Sequence, residues 1–300
     1  MMNVAVPTSS AGNRRSVASW WRSRYGARML LEILLCGALL VVYRAIRTFA
    51  KNDMRTAFAN SKNVIAFESW LGLPFEDNLQ GFLLDHPTLI RMLNHYYILF
   101  HFPTAIALLL WLYLRHPDRY LPFRNLMAVV TFAALVIHLV FPLAPPRMMT
   151  GFVDTMREFG PNIYPKNILD GAANQIAAMP SLHFGWALIA AIAVITVLDT
   201  KWRWLVLLHP TLMVLSIIAT GNHWWIDAAA AAAIILGVVM ISRMITLWAG
   251  DRRWSWTAMR FQTSEGVAKL EALANSTPAA EDESETDGSD DEGRTLETVD

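Results

Sequence analysis

The chain has 300 residues, 54% of them hydrophobic and 17% charged, with 12 Trp, 14 Phe and 14 Met, against about 45–50% hydrophobic and about 25% charged in an ordinary soluble domain. Its 25 basic and 25 acidic residues cancel, but residues 281–300 hold ten acids and one Arg, so the rest of the chain is strongly basic. This balance excludes fibrous, disulfide-scaffold and soluble nucleic-acid-binding classes and predicts an all-α polytopic membrane protein.

In chain order, residues 1–28 carry five Arg and no acid, which reads as a basic cytoplasmic N-terminus. The apolar run Met29–Tyr43 follows. The long basic region and the lack of a small-residue cleavage pattern make it an uncleaved first span rather than a signal peptide. Glu32 and Arg44 lie within it or at its edge and are expected to snorkel towards headgroups. Cys36 is the only cysteine, which rules out an intrachain disulfide and a cysteine metal cluster.

A bilayer core asks for about 20 mostly apolar residues per helix, with roughly 17–25 allowed. Six segments meet or approach that length: 29–48, 96–114, 124–143, 182–199, 203–221 and 224–248. The expected fold is therefore a six-transmembrane-helix bundle over residues 29–250, with a catalytic core at about 94–243. Val64–Leu84 is amphipathic, with Glu68, Glu76 and Asp77, and is expected to form interfacial helices. Residues 251–300 form a cytoplasmic tail, acidic and disordered from about 276, where too little apolar surface remains to offset ordering entropy.

Basic residues in short loops set the orientation. Four clusters (Arg14–Arg28; Arg115, Arg119 and Arg124; Lys201 and Arg203; Arg243–Arg260) fall on one side if there are six spans. Both termini are then cytoplasmic, in a multi-pass protein of the plasma membrane. The segments 49–95, 144–181 and Gly221–Trp225 face outward.

Chemistry-bearing residues gather at those outer ends. Met179-Pro180-Ser181-Leu182-His183 opens the fourth span, with Pro180 suited to a helix start. Ser181 and His183 fall in the first turn, where free N–H groups and the helix dipole favour an anion. Gly221-Asn222-His223-Trp224-Trp225-Ile226-Asp227 opens the sixth span. His223 and Asp227 are four residues apart and share a helical face. A carboxylate on one imidazole nitrogen leaves the other as base or nucleophile. An i, i+4 His–Asp pair is usually structural, but Asp227 leads into the apolar run Ala228–Leu236, where a carboxylate is expensive without a purpose. Phe141-Pro142-Leu143-Ala144-Pro145-Pro146-Arg147 ends the third span and holds Arg147 at the rim, where its planar fork suits phosphate oxygens. Lipid-headgroup contact is the bland alternative for Arg147 and for a lone His183. Arg157 and Lys166 could add positive field. His138 is an intramembrane ionisable group best read as bonding a neighbouring helix. His95 and His101, six apart, do not share a face and make a poor metal pair.

PSLH, followed some forty residues later by GNHxxxD at the outer end of another span, resembles the type 2 phosphatidic acid phosphatase superfamily. PLAPPR, AAMPSLHFGWAL and TGNHWWIDA more nearly resemble one branch, that of the inositol phosphorylceramide synthases (inositolphosphotransferases) and many bacterial relatives. The likeness runs from Asn94 to Arg243. It implies a phosphohistidine mechanism without metal or other cofactor: His223 as nucleophile, Asp227 as its orienting partner and His183 as the acid for the leaving group. Ser181, the amides of its turn and Arg147 would hold phosphoryl oxygens. The superfamily's Lys, with Arg-Pro seven residues on, is missing, and so is an Arg in Ser216–Thr220. Two fewer cations favour a singly charged phosphodiester over a phosphomonoester.

The expected function is a lipid phosphate phosphatase or a phospho-head-group transferase. Its partners are the bilayer, a lipid phosphate or phosphodiester substrate and, for transfer, a lipid alcohol acceptor; no nucleic acid is involved. The alternative is a non-catalytic transporter or a lipid-binding scaffold that retains the fold. A transporter places its polar groups near the midplane on broken helices, whereas here they concentrate at one end.

Overall fold

The computed structural model describes residues 26–49, 53–73, 76–161 and 176–249. The acidic tail, Lys166 and nearly all of the basic N-terminus lie outside them. The described residues are helical, joined by short connections and one isolated parallel bridge, Leu143 with Ala177. In order the helices are α1 (Gly26–Phe49), α2 (Met54–Trp70), α3 (Glu76–Leu84), α4 (Pro87–Arg115), α5 (Pro117–Val140), the short α6 (Thr155–Phe159), α7 (Leu182–Val197), α8 (Leu208–Ala219) and α9 (Trp225–Ala249). A 3-10 turn, Lys201–Leu207, leads into α8.

Four helical stretches are long and apolar enough to cross a membrane: Pro87–Arg115, Pro117–Val140, Lys201–Ala219 and Trp225–Trp248. Met29–Leu39 and Leu182–Val197 are apolar but shorter. A helix satisfies its own backbone groups, which hydrocarbon cannot do. Proline supplies the first turn of α4 and of α5, through Pro87 and Pro117. α4 begins at Pro87, nine residues before the expected span, because that start carries the polar turn holding Asn94.

α4, α5, α7 and α9 share a core of Leu108, Leu112, Phe123, Leu126, Ile189 and Ile235. α8 packs against α7 and α4 through Met213, Ile217, Ile218 and Ala187. Gly185 on α7 has the Ala231 Cβ of α9 3.6 Å from where its own Cβ would stand, the close approach small residues permit. Leu110, Phe132, Val140, Leu236, Ile241 and Leu247 point outward and are exposed. So broad an apolar exterior fits lipid rather than water.

α1 lies along α5. Glu32 does not simply snorkel: it accepts from the Tyr120 hydroxyl at 3.0 Å and lies 3.6 Å from Arg124. The α4–α5 turn, with Arg115 and Arg119, and the α7–α8 link, with Lys201 and Arg203, stand at one end of the bundle. The end of α5 and the starts of α7 and α9 stand at the other. These two basic clusters and the motif residues therefore sit at opposite ends of the same helices.

α2 and α3 are too polar to cross a membrane, and α2 starts well, with Asp53 accepting from Thr56 N at 3.0 Å and Thr56 Oγ1 at 2.6 Å. Those two bonds hold the Asp53 carboxyl below its ordinary range. Unlike simple interfacial helices, both segments dock on the motif end of the bundle. Ser61 donates to Ala144 O at 2.8 Å and Asn60 to Pro142 O at 2.8 Å, while Glu68, Glu76 and Gln80 are buried.

Candidate active site

Three loops distant in sequence are stitched into one floor. Leu143 N donates to Ile176 O at 2.8 Å, and Ala178 N to Leu143 O at 3.2 Å. The Trp224 indole, fully buried, donates to Ala144 O at 2.9 Å. Arg147 N donates to Gly221 O at 2.8 Å, and Ser181 N to Asp227 O at 3.0 Å. The PLAPPR, AMPSLH and GNHWWID segments thus meet through main-chain bonds, before the side chains of the motifs are considered.

α9 begins at Trp225, so His223 precedes the helix, and the expected shared helical face is not how it meets Asp227. Asp227 is the third helical residue and reaches back: its Oδ2 accepts from Trp224 N at 2.9 Å and from His223 Nδ1 at 3.1 Å. This is the return half of a capping box, with the imidazole as an added donor. Ala178 O lies 2.9 Å from the same Nδ1. A carbonyl can only accept, so Nδ1 carries the hydrogen, and in the neutral ring Nε2 is the nitrogen with the lone pair. His223 is 6% exposed and Asp227 0%, with Asp227 Oδ1 making no hydrogen bond among the described residues.

α7 starts at Leu182, capped by Ser181, whose Oγ accepts from Phe184 N at 3.4 Å. Pro180 therefore lies before the cap rather than in the first turn, where the sequence pattern puts it. Ser181 is fully buried, and its hydroxyl is engaged with its own helix. His183 occupies the first turn, and its ring centroid is 6.0 Å from that of His223. Two α4 residues one turn apart brace it: Tyr97 and His101 each hold their ring 4.1 Å from that of His183. His101 also stacks on Trp186 at 4.6 Å. His138 lies 3.3 Å from Pro180 O, so its Nε2–H steadies the turn before Ser181.

Arg147 sits in a 3-10 turn, Pro146–Met148. Its Nη1 donates to Asn222 Oδ1 at 2.7 Å; Asn222 in turn donates to Thr220 Oγ1 at 2.7 Å, and that hydroxyl donates to Ser216 O at 2.6 Å. The guanidinium is thus aimed by the residue next to His223. Arg157 is largely exposed and 3.9 Å from Asp154.

Glu68, Glu76, Tyr97, His101 and Asn222 are the members of this neighbourhood that motif reasoning passes over. Asn222 alone stands inside a quoted motif. The others sit on helices whose pattern reads as lipid-facing or interfacial. Among the described residues no group of three or more His, Cys, Asp or Glu is arranged to hold a metal ion.

The arrangement offers a tautomer-fixed imidazole, a second imidazole across a gap, a guanidinium and a helix start, all at one end of an apolar bundle. No curated protein and no solved structure matches the chain. Residues 62–241, more than half of its length, match the family model described as the PAP2 superfamily, and the chain belongs to that superfamily.

Proposed function

We propose that this membrane protein transfers a phosphate-bearing group from a lipid to water or to a second lipid's hydroxyl through a phosphohistidine on His223. Superfamily membership makes it a phosphatase-like protein with apolar helices; the mechanism and the choice of branch are our reading. One observation carries it: His223 Nδ1 is held by Ala178 O and Asp227 Oδ2 while the ring of His183 stands 6.0 Å away. Near attack needs about 3–3.5 Å between reacting atoms and an acid within about 2.6–3.2 Å of the proton's destination. The two rings stand near enough for one phosphoryl group to contact both.

His223 Nε2 attacks phosphorus, the bond from phosphorus to the leaving oxygen breaks, and His183 gives that oxygen its proton. His183 then takes a proton from water or an alcohol, whose oxygen attacks the phosphohistidine and restores His223. Asp227 balances the positive charge that grows on the ring. Arg147 and the turn capped by Ser181 hold the remaining phosphoryl oxygens, since phosphoryl transfer needs mainly positioning and charge stabilisation. The scarcity of cations favours a phosphodiester and transfer of an inositolphosphotransferase kind. The bundle has six spans, the site faces the outer leaflet of the plasma membrane, and both termini are cytoplasmic.

The test uses the full chain in lipid nanodiscs with labelled lipid phosphates and phosphodiesters, scoring released phosphate and head-group transfer separately, with and without chelator. We expect turnover that survives chelator and an acid-labile phosphoprotein that is absent from His223→Ala. Turnover by a folded His223→Ala protein, or loss of activity in chelator, overturns the mechanism.

A further inference from the structure

Three successive N–H groups at the start of α9 are each taken by a different carboxyl group. Trp224 N donates to Asp227 Oδ2 at 2.9 Å, Trp225 N to Glu76 Oε1 at 3.2 Å, and Ile226 N to Glu68 Oε1 at 2.7 Å. Glu68 comes from α2 and Glu76 from α3, and they are only 4% and 3% exposed. A helix start offers about half a positive charge, far too little for three buried anions. Glu68 Oε2 is buried and accepts from no donor among the described residues, and Glu76 and Glu68 hold the adjacent N–H groups of Trp225 and Ile226, which puts the two carboxyl groups side by side. Two carboxyl groups can bond to each other only if one brings a proton. A proton on Glu68 Oε2 satisfies that atom, and every other hydrogen bond of the cluster stays in place.

We propose that Glu68 and Glu76 are positioning residues for the reaction: sharing one proton, they clamp the first turn of α9 from outside and so fix Asp227 and His223. The inference rests on the phosphohistidine reading for its consequence, but the proton itself can be observed independently. Glu68 is held up to about 8 by burial first, then by its bond to Glu76, with the charges of Glu76 and Asp227 adding to these and the Ile226 N–H bond opposing them. The titratable groups acting on it are thus Glu76 from α3 and Asp227 from α9, both acids; His223 meets it through Asp227. When the pH rises through about 8, Glu68 loses its proton, the Glu68–Glu76 bond gives way to repulsion, and the turn carrying Asp227 is displaced.

The experiment combines an infrared pH titration of the full chain in nanodiscs with the pH–rate profile on fluorescent phosphatidic acid and a labelled phosphoinositol lipid. We expect a protonated-carboxyl band at pH 7 that vanishes as the pH rises through about 8 and is missing from Glu68→Gln. The Glu68→Gln side chain reproduces the protonated state: its amide oxygen accepts from Ile226 and its NH2 donates to Glu76. This variant should keep activity at pH 7 within about twofold and lose the component of the alkaline limb that Glu68 supplies, leaving only the one that His183 brings as the acid. Glu68→Ala, which frees the turn, should lose about 100-fold, as a displacement near 1 Å does. A band that Glu68→Gln leaves intact, or an unchanged alkaline limb in that variant, overturns the proposal while leaving the phosphohistidine reading standing. A Glu68-dependent band in a protein that turns over neither lipid supports the shared proton and removes the reading on which its role depends.

Discussion

His223 Nδ1 meets two acceptors, Asp227 Oδ2 at 3.1 Å and Ala178 O at 2.9 Å. The backbone carbonyl alone can therefore keep the tautomer, and the carboxylate's separate contribution is charge. Asp227→Asn tests that separation, because it can keep the Trp224 and His223 bonds on its amide oxygen, so the ring stays in place. Its NH2 then points to the position of Oδ1, which finds no partner among the described residues. We expect kcat to fall on the order of 10³-fold with little change in KM, less than the roughly 10⁴-fold seen where the same substitution also puts the imidazole in the wrong tautomer. A loss of only a few-fold in steady-state kinetics would mean that no positive charge develops on His223. The GNHxxxD and PSLH motifs disclose His223, Asp227 and His183 because their spacing is local. Ala178 as second acceptor, and Tyr97 and His101 against His183, are not legible there, since each contact joins segments that only the folded bundle brings together.

The elements owe their placement to the loops between them. Gly221 has φ of 69°, the left-handed region that suits glycine. A Cβ there would stand 2.9 Å from Gln80 Nε2 and 3.3 Å from Arg147 N. Gln80 is itself anchored, its Nε2 donating to Val153 O at 3.1 Å and its Oε1 accepting from Val153 N at 2.8 Å. Gly221→Ala should thus cost about 1–3 kcal/mol through backbone strain and also push Arg147 and His223 apart. Thermal unfolding in detergent and kcat/KM measured on the same preparation check this. A variant with unchanged stability and activity would mean that the loop yields freely. The long apolar helices are readable from composition, because the bilayer demands length and apolarity. α2 and α3 are recognisable as non-spanning from their charges, but those charges point to the wrong surroundings. Glu68 and Glu76 face the start of α9, where N–H groups need acceptors, and not the headgroups.

Over the whole molecule, the antiparallel helices put Glu158, beside the site, and Asp118, in the α4–α5 turn, at opposite ends of the bundle. The proposed orientation is tested by replacing Cys36 with Ser and introducing Glu158→Cys or Asp118→Cys. An impermeant maleimide added to intact cells should label the first and not the second. The reverse pattern would put the site at the cytoplasmic face and defeat the outer-leaflet reading. The amino-acid order was enough to establish a helical membrane protein with its motif residues at the ends of apolar segments, because hydrophobic length, proline stops and short motifs are properties of single segments. Folding alone could establish that three loops share main-chain bonds, that a third histidine braces the second, and that two glutamates from outside the apolar core grip the helix carrying Asp227. Those facts depend on which unsatisfied backbone groups come within reach of which side chains, and that is decided only when the segments pack.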